Sequence, residues 1–116
     1  MKKQILITFL FSFLISCESR TYDEISDAAP ITETVKYQPQ VKAIIDANCI
    51  VCHSAGGAAS FRPFNNYVEV KTAIDLLLDR VQRLPGDPQK MPQGGSLSTT
   101  DINILKKWKE DGLLEN

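Results

Sequence analysis

The chain has 116 residues, 43% hydrophobic and 23% charged, with six Gly, six Pro, three Cys and a single His. That is the length and composition of one globular domain, and it excludes long disorder, collagen and a coiled coil. A formal charge of −1 argues against nucleic acid, which selects basic surfaces, and one His excludes any site that needs two imidazoles from this chain.

Met1, Lys2 and Lys3 make a short basic start, and residues 5–15 form an apolar run broken only by Thr8 and Ser12. The run is shorter than the roughly 20 apolar residues of a membrane span, so residues 1–16 read as a signal peptide. Leu14-Ile15-Ser16-Cys17 resembles the lipobox of bacterial lipoproteins. In that family the Cys is lipidated on its thiol and becomes the new N-terminus. The resemblance implies an exported protein, anchored through Cys17 to a bacterial cell membrane on the periplasmic or cell-surface side. A signal peptide with an incidental Cys and a short membrane anchor are the competing readings. Cleavage before Cys17 removes Lys2 and Lys3 and leaves 11 basic residues of the 13 against 14 acidic ones, a net charge of −3. Residues 17–38 are polar and punctuated by Pro30, and they read as a flexible tether; residues 39–116 are expected to fold.

Three helices are predicted after the tether. Val41, Ile44 and Ile45 recur at helical spacing just behind Pro39, which a helix tolerates at its start. Val70, Ile74, Leu77, Val81 and Leu84 continue the pattern in steps of four and three, with Asn65 or Asn66 as cap and Pro85-Gly86 as stop. Ser98-Thr99-Thr100-Asp101 matches a capping box ahead of Ile102, Leu105 and Trp108, and Gly112 stands where a helix-ending glycine would. Residues 31–37 are a short, isolated strand candidate. The fold class is therefore a small all-α domain with two long Gly/Pro-rich loops, 55–66 and 85–97. Loops this long are uncommon in a compact domain unless something orders them, and a domain of roughly 75 residues usually needs a staple.

Cys49-Ile50-Val51-Cys52-His53 supplies a candidate for it. Two thiols at this spacing can each add to a vinyl group of a haem while the adjacent His reaches the iron, and C-x-x-C-H is the spacing of c-type haem attachment. Export agrees with such attachment, and a covalently held macrocycle would fill the centre and order both loops. Three other readings compete. A redox disulfide of thioredoxin type wants a βαβ context, which is absent. A structural zinc site wants four N or S ligands, and without Cys17 only Cys49, Cys52 and His53 remain. Chance burial of Cys as a small apolar residue is the third. His53 being the only His, a second axial ligand must be sought elsewhere, and Met91, in Lys90-Met91-Pro92, is the only Met left after the signal segment. Thioether sulfur trans to imidazole raises a haem's potential; the bland reading of Met91 is a gap-filler.

The stretch from Val41 to Gly112 resembles a small class I, monohaem cytochrome c domain. Its matching pieces are a helix running into Cys49-Ile50-Val51-Cys52-His53, a middle helical segment, then Met91-Pro92-Gln93-Gly94-Gly95 before a capped last helix with Trp108 and Gly112. The resemblance implies an all-α fold of three or more short helices around one haem c. Cys49 and Cys52 would be the thioether attachments, His53 the proximal iron ligand and Met91 the distal one. It implies a crossing of first and last helices through Val41 or Ile45 and Leu105 or Trp108, although the Gly that many members place in the first helix is missing between Pro39 and Cys49. It also implies a Pro carbonyl about ten residues downstream as acceptor for the proximal His, and Pro63 stands in that neighbourhood; an ordinary turn is the alternative. Arg80, Arg83 and Lys90 are candidates for haem propionates or a partner's acidic patch, or a solvated face.

Three functions follow from these residues. The first is one-electron transfer to redox partner proteins, with no small-molecule substrate and no catalysis of its own, alone or as a subunit of an oxidoreductase complex. The second is ligand binding or peroxidase-like chemistry at an open sixth position, for which no second His is available. The third is a structural lipoprotein with a bare dithiol.

Overall fold

The computed structural model describes residues 30–116; the signal segment, Cys17 and the tether up to residue 29 lie outside the described residues. Among the described residues the protein is all-α, with three helices and no strand. A wide turn, Tyr37–Val41, in which Gln38 is extended, leads into α1 (Lys42–Asn48). The long helix α2 spans Tyr67–Val81 and α3 spans Thr99–Glu110. None of them is long and apolar enough to cross a membrane.

The helix boundaries follow from local chemistry. Asn66 caps α2, its Oδ1 accepting the Glu69 N–H at 3.0 Å, while a Glu69 carboxylate oxygen reaches back to the Asn65 N–H at 2.6 Å. Ser98 caps α3 in the same way, accepting from the Asp101 N–H at 3.0 Å. The end of α3 is a Schellman turn. Leu113 N–H bonds the Trp108 carbonyl at 2.9 Å, Gly112 N–H bonds that of Lys109 at 3.2 Å, and Gly112 takes φ +90, which glycine adopts without steric cost. α2 stops at Val81, one turn short of Leu84. Leu84, expected on the apolar face, is 79% exposed, and Leu78 is buried instead.

The core joins Val35, Tyr37, Val41, Ile44 and Ile45 to the inner faces of α2 and α3. Its largest member is Trp108, fully buried, with the rings of Tyr37 at 5.9 Å and Tyr67 at 6.3 Å. Both the Trp108 indole N–H and the Tyr67 hydroxyl find backbone acceptors at the C-terminus, the Leu114 and Leu113 carbonyls, at 2.8 Å each. The expected crossing of first and last helical segments is made by the Tyr37–Val41 turn against α3 rather than by α1 itself.

The boundary of the fold departs from the sequence reading. Residues 31–37 are neither tether nor strand: Val35 and Tyr37 are buried, and the segment is tied to the C-terminal end of the chain. Tyr37 N–H bonds the Leu114 carbonyl at 2.8 Å and Gln38 N–H that of Glu115 at 3.0 Å. Val35 N–H donates to the Asp111 carboxylate at 2.8 Å, and Asp111 also pairs with Lys107. The Lys107 ammonium and then the Val35 N–H hold the Asp111 carboxyl below the usual carboxylate range. A carboxyl depressed in the folded state stabilises fully above its unfolded value, about 3.9, and loses that stabilisation as pH falls through the folded value. Asp111→Asn is therefore expected to flatten the acid limb of the urea midpoint plotted against pH below about 5. An acid limb identical to that of the parent would contradict this docking role.

Candidate functional site

Cys49 to His53 continue α1 as a single further turn. Cys49 N–H bonds the Ile45 carbonyl at 2.9 Å, and the Cys49 carbonyl accepts from Cys52 N–H at 3.2 Å and His53 N–H at 2.9 Å. Positions three and four apart in such a turn share a face, which is why Cys49, Cys52 and His53 can serve one ligand. Cys49 is half-buried and Cys52 exposed, and both are free thiols. Burial pushes the Cys49 thiol up to about 11, so it is protonated at neutral pH, unlike the depressed thiols of redox pairs. Among the described residues no group of three or more His, Cys, Asp or Glu converges on a point where a metal could be held, so a four-ligand zinc site has no donor set.

The 55–66 loop is fastened to this turn. Ala59 N–H bonds the Cys52 carbonyl at 2.9 Å and Phe64 N–H the His53 carbonyl at 2.8 Å. The His53 ring faces back, with Nδ1 2.7 Å from the Arg62 carbonyl oxygen. A carbonyl only accepts, so Nδ1 carries the proton and Nε2 keeps the lone pair a metal needs. The acceptor is Arg62 and not Pro63. The Phe64–His53 backbone bond sets the loop so that the carbonyl one residue before Pro63 lies opposite the ring. Phe64 then stacks on the imidazole, 4.5 Å between centroids and 17° from parallel, fixing its plane.

Met91 comes from the other long loop and is half-buried against the core. Its N–H bonds the Arg80 carbonyl at the end of α2, 3.1 Å away. Cys49, His53 and Met91 thereby line one cavity of about 310 Å³, which falls at the small end of ligand-binding pockets. Leu76, Leu77 and Val81 of α2, with Phe64 and Leu97, give its wall an apolar surface. Among the described residues, Arg62 and Arg80 are the charged side chains that line it. Cys52 and Pro63 do not line it. Arg83 is instead held between Asp79 at 2.9 Å and Asp87 at 3.0 Å, and the Lys90 ammonium is turned onto backbone carbonyls.

One residue essential to this arrangement was not singled out in the sequence. A Cβ on Gly57 would stand 2.3 Å from the Cys52 carbonyl oxygen and 3.0 Å from that of Val51, so only glycine lets the loop close over the attachment turn. The Gly56-Gly57 pair four residues after Cys52 was the available signal. Compared with known protein families, curated proteins and solved structures, the chain matches none.

The backbone clash at position 57 makes Gly57→Ala an overpacking change, expected to cost about 1–3 kcal/mol in chemical denaturation. Gly95→Ala, where an added methyl meets nothing within 4 Å and φ is unremarkable, is expected to stay within about 0.5 kcal/mol of the parent. Equal effects at the two positions would contradict the close approach.

Proposed function

We propose that the protein is a monohaem c-type cytochrome of class I, anchored to a bacterial membrane by lipid on Cys17, that passes single electrons between redox partner proteins. One observation carries the reading: Cys49 and His53 of the attachment turn and Met91 of a distant loop line the same apolar cavity. Its apolar walls and its two candidate iron ligands of different softness fit a haem better than they fit a bare metal ion. Cys17 itself lies outside the described residues, and the anchor rests on the lipobox-like sequence alone.

Bound there, a haem supplies a one-electron Fe(III)/Fe(II) couple. Cys49 and Cys52 would hold it by thioether links, with His53 Nε2 and the Met91 sulfur as the two axial ligands. The Arg62 carbonyl holds the imidazole in one orientation and keeps it from rotating. The Phe64 stack does the same for the ring plane. Leu77, Val81 and Leu97 give the cavity an apolar wall, and such surroundings with a thioether ligand would favour the reduced, less charged iron. With His53 and Met91 as its two candidate iron ligands and no second imidazole in the sequence, the chain would favour electron transfer over ligand chemistry at iron. Val51 at 79% and Phe61 at 83% exposure, one in the attachment turn and the other on the cavity wall, offer a partner apolar contact beside the site.

The test is the Met91→Ala variant of haem-loaded protein. Loss of the sulfur-to-iron absorption, a lower midpoint potential, and new binding of carbon monoxide to the reduced form are expected. An unchanged spectrum and potential would sink the distal assignment, and carbon monoxide binding by the parent protein would favour an open iron and ligand chemistry.

A further inference from the structure

The last turn of α2 leaves carbonyls without intrahelical partners, as every helix does. Here Gln82 takes up the Leu78 and Arg80 carbonyls, and two neighbouring residues of the following loop add bonds to the helix end and to the turn just beyond it. Met91 N–H bonds the Arg80 carbonyl at 3.1 Å, and the Lys90 ammonium donates to the Arg83 carbonyl at 2.8 Å and the Val81 carbonyl at 3.5 Å. Lys90 is thus a half-buried cation at the negative end of the α2 dipole, and among the described residues no carboxylate pairs with it. The chain between is itself braced. Arg83 and Asp87 pair at 3.0 Å, Asp87 accepts the Gln89 N–H at 2.7 Å, and the Gln93 amide donates to the Lys90 carbonyl at 3.0 Å. α2 contributes Leu77, Arg80 and Val81 to the cavity wall, so whatever fastens residue 91 to its end also sets Met91 against that cavity.

We propose that Lys90 is a positioning residue for Met91: its ammonium caps α2 and thereby fixes the loop that presents the thioether to the cavity. The assignment rests on the haem reading above, with Met91 as axial ligand. Without the ammonium, the Met91–Arg80 backbone bond still ties the loop to the end of α2, and an exogenous ligand competes with the sulfur more easily.

Imidazole binding to the ferric, haem-loaded full chain tests this. In Lys90→Leu the affinity for imidazole is expected to rise about tenfold, equivalent to about 1.4 kcal/mol, and the sulfur-to-iron band to weaken. Lys90→Gln, shorter and uncharged, gives a smaller rise of the same sign should the Leu variant fold poorly, and Lys90→Arg keeps the parent's affinity. Lys109→Leu removes a cation paired with Asp75 at 2.7 Å and leaves affinity and band unchanged. Parent affinity in both Lys90→Leu and Lys90→Gln overturns the assignment, as does an equal rise in Lys109→Leu. A Met91→Ala protein with the parent's spectrum and imidazole affinity overturns both this assignment and the axial role of Met91.

Discussion

The bond from His53 Nδ1 to the Arg62 carbonyl is the constraint on which the site depends. It selects the tautomer, turns the ring, and closes a loop that has no secondary structure of its own. Around it the Phe64 and Ala59 backbone bonds repeat the same connection, so the loop is clipped to the attachment turn at three points within six residues of chain. A single glycine makes that approach sterically possible. The three clips and the Phe64 stack tie the turn and the loop together at several points.

The molecule has two regions that play different parts. On one side Tyr37, Tyr67 and Trp108 pack together and bind the C-terminal residues through the indole N–H and a hydroxyl. This core is built from side chains of the domain itself. On the other side α2 presents Leu77 and Val81 to a cavity that no side chain of the domain fills. The long loops, which look unsupported in sequence, run along the rim of that cavity and are braced by hydrogen bonds to α1 and α2.

Much of this was legible in the residues. The caps at Asn66 and Ser98 and the glycine at 112 were readable because each acts within three or four positions, and the attachment turn because its three chemical groups are contiguous. Counting His and Met in the chain singled out Met91 as a candidate, and only the fold shows it lining the same cavity as Cys49 and His53. What escaped was long-range. Val35 and Tyr37 carry no periodicity, and their burial is decided by partners more than seventy residues away, Asp111 and Leu114. Leu84 fits the helical pattern, yet α2 ends before it, since Pro85 disfavours helical backbone at the residue before it and Gly86 turns the chain at φ +92. Pro63 was one residue off, since backbone register in a loop is not written in composition.

The account stands or falls on covalent attachment at the C-x-x-C-H turn. Protein made in a host with working cytochrome maturation should be digested and the peptide containing Cys49, Cys52 and His53 weighed by mass spectrometry. The account requires that peptide to carry the mass of one haem, with neither thiol open to alkylation. A peptide of unmodified mass with two alkylatable thiols would contradict it.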